Sequence, residues 1–227
     1  MASPAGSRIF GGRHIEGIEW LGHDSFRITG SATVYIDPWQ LSKGAPPADL
    51  VLVTHEHSDH FNKSDIASVS TPQTVVVGPA EVTGKLTGAQ TRTVAPGETV
   101  VVGDVKVTAV PAYNLNKYAD PKAGVLFHPK EDGKVGYIVE LDGRTIYHTG
   151  DTDNIPEMGT IDVDVALVPV SGTYVMTVDE AVEACTRLKA KTVIPMHYAT
   201  IVGDVADAER FAKECDLPVE VLTKTAP

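Results

Sequence analysis

Residues 50–60 read LVLVTHEHSDH, and this stretch decides the fold. Leu50 to Thr54 is a continuous apolar run ending in a β-branched residue, the pattern of a strand covered on both faces. It passes without a turn residue into His55-Glu56-His57-Ser58-Asp59-His60, which sets three imidazoles and two carboxylates directly behind a strand end. His55 and His57 are two apart, so in extended backbone they point the same way. Asp59 and His60 lie beyond the strand, where a turn can aim them at a neighbouring point. A metal ion needs such converging donors, and a strand end followed by a tight loop supplies them. The plainer reading is a His-rich surface loop, but three of the chain's eight histidines fall in this one turn.

Working outward, segments 16–21, 25–29 and 32–36 are short, β-rich and separated by turn residues. Beyond the His cluster, Asn62 opens a short helix to Ser70, followed by a buried strand at 74–77 and a second helix over 79–88. Strands at 99–102 and 105–110 flank Gly103-Asp104, and strands at 135–141 and 144–148 flank Asp142-Gly143, both two-residue hairpin turns. A buried strand at 164–169 leads to a capping box, Thr177 with Glu180, which opens a helix of about a dozen residues. Strand 192–196 runs directly into His197, Asp204 caps a last helix ending near Cys215, and 219–223 reads as a closing strand. Residues 112–134 are irregular, and a loop that long is a candidate lid. The order predicts an α/β fold of two packed sheets with helices outside. A loose arm over 1–15 precedes one domain over 16–227.

Of the 227 residues, 42% are hydrophobic and 22% charged, the balance of an ordinary globular chain. No apolar run approaches a membrane span, and the opening MASPAGSRIFGG has no secretory core. The expectation is a cytoplasmic protein that does not engage membrane. Cys185 and Cys215 sit outside any CxxC pattern and read as two reduced, buried thiols. The net charge of −11 opposes docking on a phosphate backbone, so a small molecule is the expected substrate and nucleic acid is not. Oligomeric state is not readable.

HEHSDH resembles the HxHxDH signature of the metallo-β-lactamase superfamily. The order of later residues fits as well: YHTGDT supplies Asp151 and IPMHY supplies His197. The segments WLGHDSFRI and IDPW resemble the branch of L-ascorbate-6-phosphate lactonases and related small hydrolases. The resemblance covers roughly residues 16–223 and implies a four-layer αββα sandwich holding two divalent metal ions. Zinc is the default, with manganese or iron as alternatives. It assigns His55 and His57 to the first ion and Asp59, His60 and His197 to the second, with Asp151 bridging. Asp59 would also orient the attacking water and move its proton.

The family's further His on the first ion is missing, because VPAYN places Asn114 there. Asn114 itself, His128 from the irregular stretch, or a depleted first site are the alternatives. Asp37, in an Asp-Pro turn, either hydrogen-bonds a ligating His from behind or is a turn carboxylate, and His23 either lines the site or is a hydrogen-bonded structural histidine. His148 belongs to its strand. The implied activity is hydrolysis of an ester, lactone, amide or phosphodiester bond by a metal-activated water. The rival is a protein that kept the fold as a non-catalytic metal-binding or interaction module.

Overall fold

The computed structural model describes residues 15–225, so the arm expected over 1–15 lies, save for its last residue, outside the described residues. Strands β1 (Ile18–Gly22), β2 (Ser25–Thr29), β3 (Thr33–Ile36), β4 (Leu50–Leu52), β5 (Val75–Gly78) and β6 (Gln90–Thr93) form one sheet in chain order. It is antiparallel as far as β3 and parallel from β3 to β6. Parallel neighbours need crossovers, and helices α1 (Lys63–Val69) and α2 (Ala80–Thr83) lie in two of them.

The second sheet begins with β7 (Thr99–Val102) and β8 (Val105–Pro111). A separate ribbon, β9 (Tyr118–Asp120) and β10 (Val125–Leu126), interrupts before β11 (Val135–Leu141) and β12 (Arg144–His148). After β13 (Asp162–Pro169) come α3 (Val178–Arg187), β14 (Lys189–Met196) and α4 (Val205–Glu214). The sheet order is β14-β13-β12-β11-β8-β7, with β12, β13 and β14 parallel.

The apolar run of β4 splits by period two between two cores. Leu50 and Leu52 join the inter-sheet core with Phe26, Ile28, Ile36, Val107, Tyr137, Val139 and Ile146. Val51 and Val53 face outward, against Phe61, Ile66 and Val69 around α1 and Val82 of α2. Both faces are therefore covered, which is why the run carries no polar alternation. Each such buried side chain is worth roughly 1.5–3 kcal/mol. On the opposite flank α3 and α4 pack on each other and on β14, burying Ala181, Ala184, Cys185, Ala208 and Phe211. The layers run helix, sheet, sheet, helix.

Besides β6, which the sequence reading did not include, three elements differ from it. The helix expected over 79–88 is a single turn, because Gly84 and Gly88 deprive it of helix formers. The irregular stretch 112–134 holds the β9–β10 ribbon and a 3-10 turn over Lys130–Asp132. The closing strand at 219–223 shrinks to one bridge between Val193 and Val219. Past it the chain turns toward the other sheet, where Thr225 N–H donates to the Trp20 carbonyl at 2.9 Å. A segment that crosses from one sheet to the other cannot continue as a strand of either.

Candidate metal centre

Strand ends from both sheets meet at one edge of the sandwich. His55 follows β4, Asp37 follows β3, Asp151 follows β12 and His197 follows β14. The sheets are tied here by hydrogen bonds from Tyr137 Oη to the Val53 carbonyl (2.7 Å), from Val135 N–H to the Thr54 carbonyl (3.2 Å) and from His197 N–H to the His23 carbonyl (3.2 Å). Gly150 makes the turn into Asp151. Its φ is +63°, and a Cβ there would stand 2.8 Å from the Val135 carbonyl oxygen, so a larger residue would spread the sheets.

Two sets of donors adjoin. In the first, His55 Nε2 and His57 Nδ1 are 3.0 Å apart, and His128 Nε2 is 3.3 Å from His57 Nδ1. Of the alternatives for the third donor, His128 is the one brought to this point. Asn114 stands behind it: its Oδ1 accepts from both His128 Nδ1 (2.9 Å) and the His128 backbone N–H (3.0 Å). Its Nδ2 donates to the Tyr174 carbonyl at 2.8 Å, so the amide has no oxygen turned to the centre. Thr54 Oγ1 does the same service for His55, accepting from Nδ1 at 2.9 Å while donating to Asp37 Oδ2 at 2.6 Å. Each Nδ1–H bond fixes the tautomer that leaves Nε2 as an inward lone pair. Asn114→Leu is therefore expected to fold and to weaken the first ion by about 10–100-fold in a chelator competition titration. Unchanged affinity would show that Asn114 does not orient His128.

The second set comprises His60, His197, Asp151 and Asp24, whose donor atoms all lie within 4.8 Å of one another; His23 and Asp59 join His60 and His197 in an overlapping group. His60 gives its Nδ1–H to Asp37 Oδ2 (2.7 Å), and His197 gives its Nδ1–H to Ser171 Oγ (2.9 Å). Asp151 stands between the sets. Its Oδ1 is 3.4 Å from His60 Nε2, and its Oδ2 is 3.5 Å from both His128 Nε2 and His197 Nε2. His23 Nε2 donates to Asp59 Oδ2 at 3.1 Å. The His148 ring is spent on the fold, donating Nε2–H to the Asp24 carbonyl at 2.9 Å and accepting from Gly150 N–H at 3.1 Å.

Electrostatics follow from burial and from this crowding. Burial drives His55 well below its ordinary value and takes His128 down to about 4, so both are neutral ligating forms at pH 7. For His60, burial disfavours the cation, but Asp151, Asp37 and Asp24 together outweigh it and raise the value well above 6.5. Asp151 is the mirror case: burial pushes its carboxyl up, and His60, His197 and His128 drag it well below 3.8. Burial likewise works against ionised Asp59, yet the His23 hydrogen bond holds it at about 2. Lys134, 3% exposed, secures the loop from outside by pairing with Glu56 Oε2 at 3.0 Å.

These residues fit bound metal. His60 Nε2, His197 Nε2 and Asp151 Oδ1 are buried without any hydrogen-bond partner. Unpaired buried polar atoms are costly, and three that face one another fit a cation that satisfies them together. Nitrogen and carboxylate donors suit zinc, manganese or iron.

The comparisons with known proteins agree with this geometry. Residues 17–197 match the family model described as the beta-lactamase superfamily domain. The chain belongs to the metallo-β-lactamase superfamily. Within the superfamily, it is 36% identical over 220 residues to a UPF0173 metal-dependent hydrolase of Pyrococcus abyssi, covering 86% of this chain and 90% of the relative. A candidate metal-dependent hydrolase of Parabacteroides distasonis superposes with a TM-score of 0.77 at 28% identity, over 95% of this chain and 100% of that one. Igni18, a metallo hydrolase of Ignicoccus hospitalis, superposes at 0.72 with 25% identity, over 92% and 95% of the two chains. Among the described residues no helix is long and apolar enough to cross a membrane.

Sequence reasoning passed over Asp24, Thr54 and Ser171. For Thr54 the signal was adjacency to His55. For Ser171 there was none, since it reaches His197 across 26 residues of chain.

Proposed function

We propose that the chain binds two divalent ions side by side and hydrolyses an ester, lactone, amide or phosphodiester bond of a small substrate. At the coarser level it is a metal-dependent hydrolase of the metallo-β-lactamase superfamily. In this reading His55, His57 and His128 hold the first ion, Asp59, His60 and His197 the second, and Asp151 bridges them. Zinc is the default ion, with manganese or iron as alternatives. The observation that carries the reading is the set of partnerless inward atoms on His60, His197 and Asp151, with His128 beside them on the far side of Asp151.

Divalent ions bound there would acidify a water toward neutral pH and offset the negative charge that develops on the attacked oxygen. The remaining work falls to the chain. Asp59 is the accessible carboxylate of the centre, its side chain 21% exposed against 4% for Asp151. His23 holds Asp59 Oδ2, which leaves Oδ1 to receive a proton from water and return it to the leaving group. Asp37, Thr54, Asn114 and Ser171 keep four imidazoles in one tautomer, so no reorientation is needed when substrate arrives. The exposed apolar side chains Leu115 and Tyr174, adjoining Asn114, favour a substrate with some apolar surface. The negative net charge favours a small molecule over nucleic acid. A lactone or phosphoester is the branch-level reading within the wider class.

The test is elemental mass spectrometry on tag-free protein never exposed to chelator, combined with hydrolysis of generic lactone and phosphodiester probes. Close to two ions per chain is expected, and Asp59→Asn should lower the rate by about 10²–10⁴-fold. Protein that neither carries nor takes up metal would sink the mechanism, and so would full activity in the variant. The rival of a non-catalytic module drew its support from the missing ligand at Asn114, and the position of His128 removes that support.

A further inference from the structure

We propose that Asp24 is a ligand of the second ion, adding a carboxylate to His60, His197, Asp59 and Asp151. The inference rests on the paired-ion reading above.

Asp24 occupies an unusual place for a carboxylate. β1 and β2 are joined by the two residues His23 and Asp24, between the paired Gly22 and Ser25. Polar residues in two-residue hairpin loops ordinarily face water, as loops do. Here both are 0% exposed, because the hairpin tip is driven under the ends of β12 and β14 rather than out to solvent. The His23 carbonyl accepts from His197 N–H, and the Asp24 carbonyl accepts from His148 Nε2, so both backbones are pinned to the second sheet. His23 also adopts a φ of +52°, a left-handed conformation uncommon for a residue with a side chain. Strain of that kind persists where the surroundings over-determine it.

The side chain that this arrangement delivers is left without a partner. Asp24 Oδ1 and Oδ2 are both buried and neither has a hydrogen-bond partner. His60 Nε2 stands 3.8 Å from Asp24 Oδ2, too far for a hydrogen bond, and the Asp151 carboxylate is the acidic neighbour. Asp24, His60, Asp151 and His197 nevertheless present one donor atom each within a 4.8 Å span. His60 Nε2, His197 Nε2 and Asp151 Oδ1 are partnerless as well. Five orphaned atoms on these four residues converge on one point, and a bound cation would satisfy imidazole lone pairs and carboxylate oxygens at once. With Asp24 included, the second ion would have three carboxylates and two imidazoles against three imidazoles and one shared carboxylate on the first. The harder set suits an ion that takes six ligands, such as manganese, better than the tetrahedral preference of zinc.

The isosteric change Asp24→Asn separates this role from its rival, in which Asp24 merely carries a proton beside Asp151. Chelated wild-type and variant protein would be titrated with Mn(II), and bound ions counted by electron paramagnetic resonance. A drop of about tenfold or more is expected in affinity for one of the two equivalents only, with a smaller Mn(II)-induced rise in Tm. Two ions bound by the variant with wild-type affinities would overturn the proposal and leave the paired site standing. Fewer than two ions in the wild type would overturn the paired site and the proposal with it. Should the variant fail to fold, a crystal structure of metal-loaded wild type decides the matter. An Asp24 oxygen within about 2.2 Å of the second ion supports the role, and one beyond hydrogen-bond reach ends it.

Discussion

Asp151→Ala is expected to release both ions and to cut hydrolysis by at least about a thousandfold, or roughly 4 kcal/mol of transition-state stabilisation. Asp151 sets its two oxygens between the donor sets: they lie 3.4 Å from His60 and 3.5 Å from His128 and His197. Removing the carboxylate takes away the one anion that can neutralise part of each cation's charge. It also takes from His60 and His197 the carboxylate whose oxygens lie nearest their Nε2 atoms, so the donors that remain there are fewer and less anionic. Elemental analysis of the purified variant reads the first effect, and turnover of the generic probes reads the second. A variant that keeps two ions would show that Asp151 is a turn carboxylate and not a bridge.

Stripping metal should destabilise the fold strongly and invert its response to pH. An ion held at a thousand times its dissociation constant contributes about 4 kcal/mol, and a chain of this size shifts by about 2–4 °C in Tm per kcal/mol. Two ions then predict a loss of roughly 15 °C or more on chelation.

The sign of the pH response comes from the two raised histidines. Burial opposes their protonation, but Asp151 and Asp24 outweigh it in His197, and Asp151 and Asp37 lead the reversal in His60. A raised folded-state value contributes stability that is complete below the unfolded value of about 6.5 and is lost as pH rises through the folded one. Metal-free protein should therefore melt lower at pH 9 than at pH 7.5, a range above the unfolded value in which His55 and His128, lowered by burial, are neutral in both states. Loaded protein should not, because ligation demands neutral imidazoles and strengthens as protons leave. Differential scanning calorimetry across that range, with and without chelator, makes the comparison. Parallel curves would argue that metal does not bind at His60 and His197.

Much of this was legible in local sequence. The strand-to-loop passage at residues 50–60, the Asp142-Gly143 hairpin with φ of +50° and +73°, and the capping boxes at Thr177 and Asp204 all form where neighbouring residues dictate. Each depends on interactions a few residues long, such as side-chain caps and turn dihedrals, which the chain carries wherever it goes. The exceptions are instructive. The segment at 219–223 has the composition of a strand, but its pairing partner is chosen by where the chain must go next, toward Trp20. Gln90–Thr93 is polar enough to read as loop, yet it pairs along β5 because a parallel edge was waiting there.

The sequence by itself determined that a rigid strand end presents His55 and His57 together, since spacing by two in extended backbone places both on one side. It also determined the two-sheet plan, because hydrophobic periodicity and turn chemistry are local properties. Only the tertiary structure decided which residue completes the first donor set. His128 is 71 residues from His57 and 14 from Asn114, and the long loop's path alone puts the imidazole in front and the amide behind. Tertiary structure also turned the tip of the first hairpin inward and brought Asp24 to the centre. Donor geometry is a property of points in space, and chain separation carries no information about it until both sheets have packed.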